Sequence, residues 1–454
     1  MSDQVKKVII NSKLTTVSSR PVEPGKTHPL SPLDLAMSLH TLHLIFYYEK
    51  SPFRFFDLDP WRVSLSEVLS LYPPVTGRLA RSEAGEWEVR CNDAGVRILR
   101  ANVGVPMDEW LRSAHGSEEK DLIVREDMPE NPSTWSPFLF QISEFEGGGV
   151  AIGLSCPHMQ ADITTLVLII KSWTEAHRQQ LIRHPPIYPR VLHGRAVPST
   201  SVTSTTAYHA AKSSSTGSQT GCNVEMVTVT FKFSDSVIRQ CLLEIQDQCP
   251  DATPFDMLAA LFWTRVALLK APKDEHSHKY SLKVCIDFRR LLKEPLSYGY
   301  FGNALYFCLL SLGEEDMFSF GGLGHVAGLV HRHVAGLGEE DFLSVVNWLE
   351  SQKGAPPFRM YGPELTCVSL EHMVNGDKSL MYSAAFESNA KPSHVSCHVG
   401  NFEGEGLIMV MPSPEEGLAR TVMVTLPDQE GIAKLCEDQA ILHLKPTMLF
   451  TGRL

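Results

Sequence analysis

His158 and Asp162 are the first residues whose types and spacing could do chemistry. The histidine lies where an apolar strand pattern ends, and the aspartate follows four residues later at the start of an apolar helix pattern. An imidazole with an ordinary pKa of about 6.5 can take a proton from an attacking hydroxyl or amine at neutral pH. This spacing also arises by chance, so it leaves open both a catalytic histidine and a core histidine with satisfied hydrogen bonds.

A second group of candidate residues follows a predicted strand in the other half of the chain. Asp287 and Arg289 stand at the end of that strand. A guanidinium can hold a carboxylate through two parallel hydrogen bonds, so Arg289 is either a surface cation or the buried partner of a carboxylate such as Asp162. The turn-forming residues that follow, including Gly302 and Asn303, bring the backbone close to another part of the molecule.

Three further patterns resemble known sites but lack a feature that the chemistry needs. Residues 153–157 begin like a nucleophile elbow, but Pro157 stands where the sharp turn requires glycine. Residues 322–327 fit a nucleotide-binding glycine pattern, yet they follow an acidic segment and not an apolar strand. The histidines within 276–278 and 331–333 have no acid or cysteine at ligand spacing, so we expect them at the surface and predict no metal site.

The elements that must position these residues follow from hydrophobic periodicity. Alternating or buried apolar runs predict strands over 8–17, 42–48, 224–233, 281–287, 365–370, 407–411 and 421–426. Turn-rich connections predict two hairpins, one of 87–91 with 96–103 and one of 138–145 with 150–155. One helix is expected to begin at residues 59–60 and to end at 73–74, and a second to span 163–181. A third is expected to begin at 253–256, and Ser234 is expected to cap a fourth.

Composition divides the chain into two parts. Residues 185–222 are rich in Ser, Thr, Gly and Pro, and such a stretch buries too little apolar surface to order itself. It is expected to be a crossover linker between an N-terminal lobe over 1–184 and a C-terminal lobe over 223–454. A length of 454 residues suits two or three domains. The prediction is an α/β protein with two lobes.

Charge and cysteine usage exclude several classes of protein. The formal net charge is −11, which argues against a nucleic-acid binder or a polybasic membrane-surface protein. No apolar run approaches the length of a transmembrane helix, and the first residues lack the apolar core of a secretory signal. The ten cysteines are dispersed without a CxxC pair, so we expect free thiols in a reducing compartment.

The candidate residues occur together, in order, in one family. The His158–Asp162 pair, the Asp287–Arg289 strand end and the Gly-Tyr-Phe-Gly-Asn run over 299–303 resemble the plant BAHD acyl-CoA-dependent acyltransferases. The early Pro-Leu-Asp at 32–34 and the late strand from 406 to 413 also fit, so the resemblance covers nearly the whole chain.

The resemblance implies a fold and a mechanism. Two chloramphenicol-acetyltransferase-like lobes would enclose a channel that admits acyl-CoA, as co-substrate or ligand, from one face and the acceptor from the other. No cofactor would be bound. His158 would deprotonate the acceptor, which attacks the thioester without a covalent enzyme intermediate. Asp162 would pair with Arg289 and shape the loop, and Asp287, Gly302 and Asn303 would support the site.

The sequence departs from the family pattern at two places. Residues 385–389, Ala-Phe-Glu-Ser-Asn, stand where the family carries Asp-Phe-Gly-Trp-Gly, and Ile163 follows Asp162 where glycine is usual. Both departures resemble the eceriferum/Glossy wax branch, as do the segments at 34–37, 90–97 and 361–366.

Two functions of different classes follow from the resemblance. The first is support of very-long-chain acyl elongation for cuticular wax, beside a membrane-embedded condensing enzyme of the endoplasmic reticulum. The protein would then be cytoplasmic and held at that membrane by its partner. The alternative is an active acyltransferase that moves an acyl group from CoA to an alcohol or amine.

Overall fold

The computed structural model describes residues 7–51, 58–188, 202–215, 226–270, 279–319, 321–353, 355–376, 378–387 and 390–452. The strands are β1 (Val8–Thr16), β2 (Thr27–Pro29), β3 (Thr41–Tyr48), β4 (Arg78–Arg81), β5 (Trp87–Arg90), β6 (Val96–Pro106), β7 (Leu139–Glu146), β8 (Val150–Pro157), β9 (Val227–Phe233), β10 (Tyr280–Asp287), β11 (Leu305–Leu312), β12 (Leu365–Ser369), β13 (Val374–Asn375), β14 (Lys378–Ser379), β15 (His394–Gly400), β16 (Leu407–Pro412), β17 (Arg420–Leu426) and β18 (Thr447–Leu449).

Groups of these strands alternate with helices along the chain. They are α1 (Pro32–Ala36), α2 (Leu58–Leu69), α3 (Pro73–Thr76), α4 (Met107–Ser113), α5 (Gly116–Glu119), α6 (Ile163–His177), α7 (Val202–Ser215), α8 (Asp235–Glu244), α9 (Pro254–Lys270), α10 (Gly322–Ala335), α11 (Glu339–Ser351), α12 (Gln429–Glu437) and α13 (Gln439–His443). Among the residues described, no helix combines the length and apolar character needed to cross a membrane.

The first large sheet has six strands in the order β1-β6-β7-β8-β3-β15. Only β6 and β7 run parallel, and the other neighbours are antiparallel. Every residue of β8 is buried, which explains its continuous apolar run, since this central strand has protein on both faces. The helix α6 follows β8 after the short connection 158–162, and the start of this helix therefore lies close to the sheet.

The second large sheet has seven strands in the order β11-β10-β12-β16-β17-β9-β18. The three consecutive strands β10, β12 and β16 run parallel, and the other neighbouring strands are antiparallel. The apolar helix α9, buried along most of its length, joins the same hydrophobic core as these strands. Two mixed sheets with helices make an α/β fold, as predicted.

One strand joins the two halves of the chain. β15 comes late in the sequence but pairs with β3, with His394 opposite Tyr47 and Gly400 opposite Thr41. The first sheet therefore contains a strand from the second half, a pairing that local periodicity does not predict. The residues at the start of α6, after β8, contact those at the end of β10, and these segments carry the candidate site.

The predicted hairpin of 87–91 with 96–103 is wrong. β5 pairs with β2 and β4 in a small sheet, whereas β6 pairs with β1 and β7 in the large one. The connection crosses between sheets instead of turning back. The side chain of Asp93 accepts hydrogen bonds from the backbone and hydroxyl of Ser18, and Gly95 adopts φ +83° where a Cβ would lie 2.7 Å from the Thr16 oxygen. These contacts hold the connection against β1. The second predicted hairpin, β7 with β8, is confirmed.

The expectation that 185–222 lacks order is wrong for part of this segment. Residues Val202–Ser215 form the helix α7, in which Ala207, Tyr208 and Ala211 are buried. Those side chains lie one and four positions apart, so they form a narrow apolar stripe on one helical face. The Tyr208 hydroxyl also accepts a hydrogen bond from the backbone N–H of Phe307 in β11. Residues 189–201 and 216–225 lie outside the described ranges, and the three-part domain division stays a prediction.

Candidate functional site

His158 lies at the point where β8 ends and α6 begins, in a single 3-10 turn over His158–Gln160. Its side chain is fully buried. The ring Nδ1 lies 3.1 Å from the backbone oxygen of Ala161, and the ring Nε2 lies 3.0 Å from the hydroxyl of Tyr361. A carbonyl oxygen only accepts hydrogen bonds, so Nδ1 carries the proton and Nε2 presents its lone pair to the Tyr361 O–H.

Burial keeps this imidazole neutral. Loss of solvation lowers the pKa of His158 to about 4, although the charge of Asp162 and the Ala161 carbonyl act in the opposite direction. At neutral pH the ring therefore has one lone pair, at Nε2, which accepts the hydrogen bond from the Tyr361 hydroxyl. Such a lone pair can accept a proton from a hydroxyl or amine that takes the place of the Tyr361 hydroxyl.

Asp162 is the N-cap of α6 and is fully buried. One carboxylate oxygen accepts a hydrogen bond from the backbone N–H of Thr165 at 2.9 Å. The other lies 2.8 Å from the Arg289 guanidinium and 3.1 Å from the backbone nitrogen of Ala304. These donors and the positive charge of Arg289 lower the pKa of Asp162 despite its burial. The predicted Asp162–Arg289 pair is confirmed, and it joins the start of α6 to the loops that follow β10.

Arg289 is itself held by several acceptors from the second half of the chain. Its guanidinium pairs with Asp287 as well as with Asp162, and it donates to the backbone oxygens of Tyr300 and Gly302. Asp287 also accepts a hydrogen bond from the hydroxyl of Thr164 in α6, at 3.3 Å. The site thus contains two buried carboxylates around one buried guanidinium, and these groups come from the start of α6 and from the end of β10.

Asn303 links the two halves of the molecule through its amide. The Asn303 Nδ2 donates to Asp34 Oδ1 at 2.9 Å and to the backbone oxygen of His158 at 2.8 Å. Its backbone N–H donates to the same Asp34 oxygen at 2.8 Å. Gly302 adopts φ +126°, and a Cβ there would lie 3.2 Å from Asp34 Oδ1, so this backbone conformation suits glycine. Asn303 therefore fixes the turn that carries His158.

Asp34 is a buried carboxylate to which sequence reasoning gave no role. It completes a capping box at the start of α1, because its Oδ2 accepts from both the backbone and the hydroxyl of Ser31. Burial raises its pKa even though Ser31 and Asn303 donate to it. The sequence signal was present as the Ser-x-x-Asp spacing of a capping box, but that pattern predicts a helix start and not a partner of Asn303.

Tyr361 was also missed as a functional residue. It lies just before β12 and is 1% exposed, with its ring 5.7 Å from that of His158 and 5.4 Å from that of Phe307. Tyr361 is the first residue of the segment 361–366, for which the sequence offered only a resemblance to the wax branch. Contact with His158 depends on a loop from the second half that reaches the end of β8, and no local pattern encodes such an approach.

The segment in place of the Asp-Phe-Gly-Trp-Gly signature is described up to Glu387. Phe386 is buried, and its ring meets that of Trp173 in α6 edge-on at 4.9 Å. The backbone oxygen of Ala384 accepts a hydrogen bond from Tyr48 at the end of β3. This segment therefore packs against the first sheet and against α6, where the Phe386 ring makes the contact.

The remaining motifs have other places in the structure. Ser155 lies within β8 with its hydroxyl 2.9 Å from Nδ1 of His43, and Gly322 begins α10. The expectation that His331 is a solvated surface residue is wrong, because its side chain is only 24% exposed and its Nδ1 lies 2.9 Å from a carboxylate oxygen of Asp256. Their pairing runs between α10 and α9, so helical spacing within one helix could not reveal it. The histidines at 276 and 278 lie outside the described residues.

The relatives of this chain include proteins named as hydroxycinnamoyltransferases and proteins named ECERIFERUM. It is 27% identical to a hydroxycinnamoyltransferase of Narcissus pseudonarcissus, over 94% of this chain and 98% of the relative. It is 25% identical to Protein ECERIFERUM 2 of Arabidopsis thaliana, over 93% and 96% of the two chains. Among solved structures, F. sporotrichioides TRI101 complexed with coenzyme A and T-2 matches with a TM-score of 0.72 at 14% identity, over 93% and 99% of the chains.

The sequence model described as the Transferase family matches residues 6–440. That match spans nearly the whole chain, and the α/β architecture and the structural similarity agree with it. The chain belongs to this transferase family, the BAHD acyl-CoA-dependent acyltransferases.

Proposed function

We propose that this protein binds acyl-CoA and supports the elongation of very-long-chain acyl groups for cuticular wax. Its partner would be a membrane-embedded condensing enzyme, which would hold a cytoplasmic protein at the endoplasmic reticulum. The observation that carries the proposal is the hydrogen bond from Tyr361 to Nε2 of His158, because it leaves the base of the family's reaction occupied and buried. The changed segment at 385–389 and the eceriferum relative support the same role.

Binding of acyl-CoA is part of this proposal. The related TRI101 structure contains coenzyme A, and the two proteins share a fold over most of their length. An acyl-CoA-binding protein without rapid turnover could present or retain long acyl chains beside a condensing enzyme. The buried network around Asp162 and Arg289 would then maintain the fold at the junction of the two sheets.

A second candidate is acyl transfer to an alcohol or amine, and a specific observation favours it. The Nδ1–H of His158 faces the Ala161 carbonyl, so the tautomer is the one that leaves Nε2 basic. An acceptor O–H or N–H at Nε2 would lose its proton to the ring as its oxygen or nitrogen bonds to the thioester carbon. The carbon–sulfur bond would then break, and the imidazolium would return the proton to the CoA thiolate. Binding both substrates together supplies the proximity effect.

Co-expression with a condensing enzyme in a heterologous host tests the first candidate. The wild-type protein is expected to lengthen the acyl chains, and His158→Ala is expected to retain that extension because the role does not use the base. Exposed Arg112→Ala provides a matched surface control. If His158→Ala abolishes extension at unchanged abundance, the partner role without catalysis is wrong.

Release of free CoA tests the second candidate. Purified protein is given long-chain acyl-CoA with a panel of alcohols and amines. Acceptor-dependent release that His158→Ala abolishes would establish acyl transfer. Acceptor-independent traces of CoA, equal in the wild type and the variant, would contradict it.

A further inference from the structure

The Tyr361 hydroxyl occupies the position that an acceptor must reach. Neutral His158 has a single lone pair, at Nε2, and the Tyr361 O–H is 3.0 Å from it. An acceptor hydroxyl or amine needs the same lone pair within hydrogen-bond distance. The two cannot use it together, so an acceptor requires Tyr361 to move.

A buried lysine of the second sheet binds the segment that carries Tyr361. Lys283 in β10 donates to the backbone oxygens of Met360 and Gly362, at 3.2 Å and 2.6 Å. The same ammonium lies 3.0 Å from a carboxylate oxygen of Glu364. All three contacts are with residues 360–364. Lys283 therefore binds the segment on both sides of Tyr361 to the second sheet.

A second contact holds the segment to the first half of the chain. The ring Nε2 of His40 accepts a hydrogen bond from the backbone N–H of Met360 at 3.1 Å, and its ring meets the Tyr361 ring edge-on at 5.0 Å. The segment also reaches the surface, where Glu364 has a side chain 20% exposed and Arg359 lies 3.3 Å from Glu403. The segment therefore has one end in solvent and its tyrosine against the base.

We infer that Tyr361 is a gate over Nε2 of His158 and that the Lys283–Glu364 pair is its latch. With the segment latched, the base is covered; when the segment moves outward, an acceptor hydroxyl or amine can take the position of the Tyr361 hydroxyl. This inference rests on the proposal that His158 is the base for acyl transfer. It adds the residue that controls access to that base.

Chemical labelling of histidines tests the gate without requiring turnover. Full-length protein is treated with diethyl pyrocarbonate, which modifies accessible neutral imidazoles, and the extent at each histidine is read by mass spectrometry. The exposed His115 provides the internal reference. The variants are Tyr361→Ala, which removes the gate, and Glu364→Ala, which loosens the latch but keeps the tyrosine. Tyr72→Phe is the control, because it removes another buried hydroxyl, bonded to Ser172.

The gate predicts a specific order of labelling. His158 is expected to be protected in the wild type and in Tyr72→Phe, and to approach the rate of His115 in Tyr361→Ala. In Glu364→Ala the rate at His158 is expected to rise about fivefold, as for the loss of one buried contact. Rapid labelling of His158 in the wild type would overturn the inference, and so would continued protection in either variant with an unchanged melting temperature. If Tyr361→Ala does not fold, Glu364→Ala alone decides.

Failure of the gate and failure of acyl transfer give different results. If His158 becomes labelled in the variants but no variant releases CoA in an acceptor-dependent manner, the gate stands and the catalytic role of His158 falls. If CoA release depends on His158 while its labelling is the same in all variants, the transfer stands and the gate falls.

Discussion

The carboxylate of Asp162 lies 2.8 Å from the guanidinium of Arg289, and both side chains have no exposed surface. The first residue caps a helix of one half of the chain, and the second follows a strand of the other half. Because the pair is buried, removal of Arg289 leaves the charges of Asp162 and Asp287 uncompensated inside the protein. This ion pair therefore makes the orientation of the two halves and the placement of the His158 turn interdependent.

Replacement of Arg289 by Met tests that interdependence through stability. The variant leaves Asp162 and Asp287 without their shared cation, so we expect a loss of about 3–5 kcal/mol in the free energy of unfolding. Urea denaturation measures it. The control is Arg112→Met, which breaks an exposed pair with Asp108 and should change stability by less than about 0.5 kcal/mol. A cost for Arg289→Met as small as that of the control would contradict the role of the pair.

Replacement of Asn303 by Ala tests the link to the His158 turn. Asp34 and the His158 carbonyl each lose a donor in a buried place, and we expect a loss of about 1–3 kcal/mol. The exposed Asn92→Ala is the matched control and should be nearly neutral. Equal denaturation midpoints for the two variants would show that the Asn303 side chain does not hold the turn.

Burial of His158 predicts a dependence of stability on pH. Its pKa is lowered to about 4, so below pH 6.5 the unfolded chain binds a proton that the folded chain binds only near pH 4. The stability is full above pH 6.5 and falls as the pH decreases toward 4, by roughly 3 kcal/mol for this group. His40 and His43, each with a pKa of about 3, add losses of the same sign.

The variant His158→Gln isolates that contribution. Glutamine can donate to the Ala161 oxygen but does not titrate, so the slope of unfolding free energy against pH should be shallower between pH 6.5 and 4. Urea titrations at a series of pH values measure this slope in both proteins. Parallel slopes would mean that His158 titrates alike in the folded and unfolded chains.

Removal of the Tyr361 hydroxyl tests whether that group blocks the base, His158. Tyr361→Phe keeps the ring between His40 and Phe307 but deletes the hydroxyl that donates to Nε2. If His158 is an active base, acceptor-dependent CoA release should rise several-fold and disappear in the double variant with His158→Ala. Tyr72→Phe should match the wild type. A lower rate in Tyr361→Phe would instead indicate that the hydroxyl helps the reaction.

Much of the fold could be predicted because its determinants are local. The strands β10, β16 and β17 follow from apolar runs in the sequence. The starts of α8 and α9 follow from capping and first-turn residues such as Ser234. The residues alone left Arg289 either as a surface cation or as the partner of a carboxylate such as Asp162, and the family resemblance implied the pair. A carboxylate and a guanidinium can be buried together in few arrangements, because each charge needs a partner inside the protein.

The parts that could not be predicted depend on contacts between distant segments. β15 pairs with β3 more than 340 residues earlier in the chain, and Tyr361 meets His158 across 203 positions. The helix α7 has only a narrow apolar stripe within a Ser- and Thr-rich stretch, so its composition concealed it. Lys283 lies within an apolar strand pattern, and no neighbouring residue in the sequence indicates that it donates hydrogen bonds to the Tyr361 segment.

The most direct test of the site is the protonation state of His158 in solution. Nuclear magnetic resonance of protein with labelled histidine, compared with His158→Gln to assign the signal, reports the tautomer and the pKa. We expect a neutral ring with the proton on Nδ1, an Nε2 shift typical of a hydrogen-bond acceptor, and a pKa of His158 of about 4. A proton on Nε2 at neutral pH, or titration near the ordinary value of 6.5, would contradict it.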